Sequence, residues 1–136
     1  GYKDSIKVSI APLVGNLIVA FISTIVYYFV AVFTGKVLPA NVYLVITMMI
    51  GYIAPINIGL MVFNLLPLPG LAGFYIFRDL SPKNFYKYSE VVYQYQMIIL
   101  IGVIFLNNMI PILTLPTQAI LSVFSSIATL LVGIFL

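Results

Sequence analysis

Histidine, cysteine and tryptophan are absent from this chain, and only nine of its 136 residues are charged, six Lys or Arg and three Asp or Glu. Without imidazole or thiolate, the usual zinc, copper and haem ligands are missing. Ser-His-Asp and Cys-His catalytic arrangements are excluded for the same reason, and no disulfide framework is possible. The shortage of charge decides the class. A soluble domain carries about 25% charged residues, whereas this chain carries 7%, is 63% hydrophobic and has a mean hydropathy of +1.20. Such a composition belongs in a lipid bilayer. A net charge of +3, dispersed along the chain, gives no footprint for nucleic acid.

The charges present divide the chain. The cations are Lys3, Lys7, Lys36, Arg78, Lys83 and Lys87, and the acids are Asp4, Asp79 and Glu90; between them run uncharged stretches at 8–35, 37–77 and 91–136. A helix needs roughly 20 apolar residues to cross the hydrocarbon layer. The first stretch holds one span, the second one span and a non-helical excursion, and the third two spans divided by Pro111 and Pro116. The expected fold is an all-α, polytopic transmembrane helical bundle forming a single domain over 1–136, with spans near 8–33, 41–64, 93–113 and 117–136. The Thr34-Gly35-Lys36 turn closes the first span, and a kink is expected near Pro55 in the second.

After Asn64 the run Leu65, Leu66, Pro67, Leu68, Pro69, Gly70 disfavours helix, because each proline biases its predecessor towards extended backbone. An extended loop at 65–70 and a short apolar helix at 71–80 are expected. Ser81-Pro82 then opens a helix that leads into the third span, with Ser as cap and Pro in the first turn. Tyr86, Tyr88, Tyr93 and Tyr95 suit an aromatic belt at headgroup level. With four spans, one side holds Lys3, Lys7, Arg78, Lys83 and Lys87 and the other only Lys36, which predicts both termini in the cytoplasm. A first residue of Gly and the lack of a signal pattern suggest a processed product or part of a longer protein.

Few residues are candidates for chemistry. Each carboxylate lies in or beside a basic segment, Asp4 by Lys3, Asp79 by Arg78 and Glu90 a turn after Lys87, as solvated surface pairs would. No charge falls inside an expected span, so the usual mark of an ion pathway is missing. Among the amides, Asn16 beside Gly15 and Asn57 after Pro55 suit interhelical contacts, with Gly15 and Asn16 as packing residues. Asn64 stands next to irregular backbone, where its amide can satisfy free N–H and C=O groups.

The run FNLLPLPGLAG at 63–73 resembles the Asn-x-x-Pro-x-Pro-x-Leu-Asp-Gly signature of the site-2 proteases, the intramembrane zinc metalloproteases, and is most similar to their small prokaryotic branch. Asn64, Pro67, Pro69, Leu71 and Gly73 match in register. The 3–21 segment, with Ala11 and Asn16, is similar to the family's Ala-Gly-Pro-x-x-Asn span, although Pro12 stands one place early. The 81–107 segment resembles the basic, Tyr-containing helix before a later span. Most of the chain would then correspond to the part after the family's metal-binding helix.

In the family, two histidines of His-Glu-x-x-His and the Asp of Leu-Asp-Gly bind zinc, while the Glu activates water. Here Ala72 takes the Asp position, and His-Glu-x-x-His is absent. The resemblance therefore implies a pseudoprotease or inactive fragment with no catalytic or metal residue in this chain, in a prokaryotic cell membrane. Zinc, and a metalloendopeptidase activity, would require ligands from an upstream segment. The resemblance also implies that Asn64, Pro67, Pro69, Leu71 and Gly73 help hold a partner's transmembrane segment. A structural subunit of a larger membrane complex is the alternative, followed by a small transporter or channel.

Overall fold

A computed structural model describes residues 2–136 as five helices: α1 (Tyr2–Phe33), α2 (Ala40–Asn64), α3 (Ala72–Leu80), α4 (Pro82–Met109) and α5 (Thr114–Ile134). Four of them are long and apolar enough to cross a membrane: Lys3–Phe33, Ala40–Asn64, Pro82–Met109 and Thr114–Ile134. The chain is an integral membrane protein whose apolar helices contact lipid. Its bundle is all-helical, as the charge pattern predicts, with α3 as the short helix after the proline loop.

Helices α1, α2 and α5 pack on one another, α3 lies against α1, and α4 touches chiefly α3. The core joins Leu13 and Ala20 of α1, Ala54, Ile58, Met61 and Val62 of α2, and Ala72 of α3. Small residues at Ala20, Ala54 and Ala72 let the helices approach closely, the route by which membrane helices gain packing without a hydrophobic driving force. An edge-to-face pair, Phe21 and Phe124 at 5.3 Å, fastens α5 to α1. Where α1 turns into α2, Tyr43 Oη donates to the Ala31 carbonyl at 2.7 Å.

Helix α4 is peripheral. Of its most apolar 18-residue window only 6% is buried within the chain, against 28% for α2. It also breaks: Tyr95 leaves helical dihedrals with φ −117° and ψ 21°. At Pro55, where a kink is expected, α2 continues as one helix. A proline removes one backbone bond and crowds one carbonyl, and in a membrane helix neighbouring groups can satisfy what it frees.

Three further expectations are corrected. Gly15 is not a close contact: a Cβ there would meet nothing within 4 Å, and Asn16 beside it makes no hydrogen bond among the described residues. Asn57 donates to the Ile53 carbonyl of its own helix at 2.8 Å rather than to a neighbour. Ser81 does not cap α4 with its side chain; its Oγ accepts from Asn84 Nδ2 at 3.0 Å, while its carbonyl accepts from the Phe85 N–H at 2.9 Å.

Candidate functional site

The segment between α2 and α3 gathers the residues singled out by motif. At its start, Leu65 N–H still bonds the Met61 and Val62 carbonyls, and Leu66 N–H bonds Phe63 O. Proline then removes the donors at Pro67 and Pro69. The 65–70 connection is non-helical, as expected, but it folds into successive tight turns, with Leu68 N–H on Leu66 O at 2.9 Å and Leu71 N–H on Leu68 O at 3.1 Å. Gly70 closes it at φ +89°, a left-handed conformation that costs glycine little. Leu68 is buried and Pro67 is exposed.

Asn64 and Ala72 lock the two ends together. Asn64 Oδ1 accepts from the Ala72 N–H at 2.9 Å, satisfying one of the unpaired donors in the first turn of α3. Directly beside it, Gly73 lies so close to the start of the loop that a Cβ would stand 2.0 Å from Leu65 O and 2.7 Å from Leu66 O. Only a residue without a side chain permits this approach. From the other side, Tyr88 Oη of α4 donates to the Pro67 carbonyl. Tyr88 therefore points inward instead of standing in a membrane belt, whereas Tyr86, Tyr93 and Tyr95 are exposed.

Under the loop sits an aromatic cluster centred on Phe74, which is 1% exposed. Its ring lies 4.7 Å from Phe85 and 5.6 Å from Tyr93, both at steep angles, the arrangement favoured by ring quadrupoles. Beside the loop an apolar recess of about 290 Å³ opens between the end of α2 and the Tyr95 break in α4. Phe63, Leu68, Pro69, Leu71, Met97 and Leu100 form its walls, and Gln96 supplies its one amide.

The structure thus brings Asn64, Leu71, Ala72 and Gly73 to one junction with Pro67 and Pro69 beside it, while Gly15 and Asn16 lie apart from it on α1. Sequence reasoning missed Gln96, Tyr88 and Asn107. Asn107 repeats the Asn64 device, since its Oδ1 accepts from the Leu113 N–H at 2.9 Å across the turn containing Pro111. The signal was the same, an amide a few residues before a proline turn.

No protein-family model, curated protein or solved structure matches this chain. The site is therefore read from its own chemistry. Zinc, which the resemblance implies for the family, does not fit the residues present. Ala72 contributes a methyl group to the apolar core, Asn64 Oδ1 is already engaged, and no three His, Cys, Asp or Glu side chains come together among the described residues.

The Arg78–Asp79 pair also departs from expectation. Asp79 is not a solvated surface carboxylate; its side chain is only 7% exposed. Its Oδ1 lies 3.2 Å from Arg78 Nε, while Arg78 Nη2 donates to Ser5 Oγ at 2.9 Å and the guanidinium stands 5.1 Å from the centre of the Tyr75 ring. The neighbouring Ser5 hydroxyl, foremost, and then Arg78 hold the Asp79 carboxyl below the usual carboxylate range, against the opposing effect of burial. This cluster joins α3 to the first turns of α1.

Proposed function

We propose that the chain is a site-2-protease-like membrane protein without a zinc site of its own, which holds the transmembrane segment of a partner protein against its proline loop. The observation that carries this reading is the stapled junction itself. A non-helical backbone is kept at the edge of a span by Asn64, Gly73 and Tyr88, next to an apolar recess of about 290 Å³. Irregular backbone at membrane depth is tolerated where protein or water covers it. The Gly70 N–H makes no hydrogen bond among the described residues, leaving a donor for an incoming segment. The exposed span of α4 supplies the second wall. On this reading the membrane is a prokaryotic cell membrane and both termini face the cytoplasm, the side with five of the six cations.

The test places a photo-crosslinking amino acid at Met97 in the recess and, as a control, at Leu130 on the exposed side of α5. The expected outcome is a protein adduct through the partner's transmembrane segment at Met97 and lipid adducts alone at Leu130. Leu100→Trp, which fills the recess without touching the staple, should abolish the protein adduct, and Asn64→Ala should weaken co-purification of the partner. Lipid adducts alone at both positions would exclude the groove. A structural place in a larger membrane complex is the second reading, favoured by the scant burial of α4; protein adducts at both positions, indifferent to Leu100→Trp, would select it.

A further inference from the structure

A second, larger cavity of about 420 Å³ lies away from the proline loop, between the second half of α1, the first half of α2 and the middle of α5. Its size falls among small-ligand sites, roughly 300–1,000 Å³. Thr24 lies nine residues before the end of α1 at Phe33, about 14 Å along the axis at the helical rise, well inside the apolar stretch of that helix. Its walls are apolar and aromatic, with the Tyr27 ring seated against Gly51, where a Cβ would stand 3.1 Å from Tyr27 Cε2.

Three hydroxyls of the lining are buried. Ser23 and Thr24 are 8% and 4% exposed, and Thr47 is 9% exposed. The hydroxyl protons of all three are committed: Ser23 and Thr24 both donate to the Ala20 carbonyl, at 3.0 and 2.7 Å, and Thr47 donates to Tyr43 O at 2.8 Å. A hydroxyl that donates still carries acceptor lone pairs. These three hydroxyls therefore offer buried acceptors without spare protons, while the hydroxyls of Tyr27 and Tyr52 make no hydrogen bond among the described residues and remain available as donors.

We infer that this cavity binds a neutral lipid alcohol, whose O–H donates to Thr24 or Thr47 and accepts from a tyrosine while its hydrocarbon lies among the apolar walls. A plain acyl chain would leave the acceptors unmet. An anionic headgroup would face lone pairs and find no cation, because Lys36, the nearest in sequence, lies beyond the end of α1.

The test uses the full chain in lipid nanodiscs with a photoactivatable, diazirine-bearing hexadecanol, and the same compound as its methyl ether. The alcohol should label the walls at Tyr27, Met48 or Tyr52 about fivefold more than the ether, the preference one neutral hydrogen bond supports. Thr24→Val/Thr47→Val keeps side-chain shape and should abolish that preference. Comparison of alcohol and ether on the unaltered protein keeps the inference testable should the double variant fail to fold. Displacement by dioleoylglycerol or by farnesol distinguishes a glycerol-based from an isoprenoid source. Equal labelling by alcohol and ether, labelling elsewhere, or displacement by neither competitor would overturn the inference.

Discussion

The carboxamide oxygen of Asn64, on the last residue of α2, accepts from the N–H of Ala72, the first residue of α3, at 2.9 Å. A single side chain thereby spans the proline loop and sets the angle at which α3 leaves the membrane helix. Removing it leaves a half-buried donor with no partner, at a cost of about 1–3 kcal/mol. Asn64→Ala should lower unfolding stability in detergent by that amount, while Asn64→Asp, which keeps an acceptor at the start of α3, should recover most of it. Equal losses in both variants would show that the bond does not hold the junction.

Gly73 should tolerate nothing larger than hydrogen. Its Cβ position overlaps backbone atoms of Leu65 and Leu66, which cannot swing aside as a side-chain tip could. Gly73→Ala is expected to destabilise by more than about 2 kcal/mol, the range of overpacking. Gly15→Ala meets open space and should be neutral or stabilising by up to about 1 kcal/mol, from helix propensity. Thermal melts of the two variants side by side check the contrast.

The Asp79 cluster predicts an acid limit to the attachment of α3. Because the folded carboxyl lies below its ordinary range, its stabilisation is present above the unfolded value of about 3.9 and is lost as pH falls through the folded value. Attachment should therefore be constant from neutrality to about pH 5 and weaken only below the ordinary carboxylate range. Asp79→Asn should flatten this acid limb, measured as protease susceptibility of the 65–81 segment in detergent against pH. An unchanged limb in the variant would place the acid sensitivity elsewhere.

Restoring the family's acid at position 72 should not restore a metal site. Ala72→Asp would set a lone carboxylate in the core beside Leu13, Ala54 and Ile58, with no second ligand close by among the described residues. The expected result is lower stability and no stoichiometric zinc by elemental analysis of the purified chain. Bound zinc at one per chain would refute this reading of the junction.

The helices were legible because charge is scarce and proline stands at the breaks. Nine charges mark where water begins, and the prolines after Asn64 and Met109 mark where helices cannot continue. The staple at Asn64 was legible for a related reason, since an amide beside proline-broken backbone has an evident task. Asn107 carries the same local pattern and answers to the same argument. What the sequence does not display is contact at long separation. Nothing near Ser5 announces Arg78, and no proline or glycine accompanies the break at Tyr95. Gly15 illustrates the converse: a small residue in a membrane helix grants permission for close approach, but whether a neighbour uses it depends on where the other helices lie. Gly51 and Gly73 are the positions used, against Tyr27 and the loop backbone.

The bond from Arg78 to Ser5 joins residues 73 positions apart, and this separation orders the protein's biogenesis. The α1–α2 hairpin can form as soon as Tyr43 emerges, since its bond to Ala31 spans 12 residues. The first turns of α1, however, must wait until α3 has been synthesised before their hydrogen-bonding partner exists. The start of α1 is therefore made well before it is fastened. Until then it remains within reach of whatever cellular machinery guides the nascent chain into the bilayer.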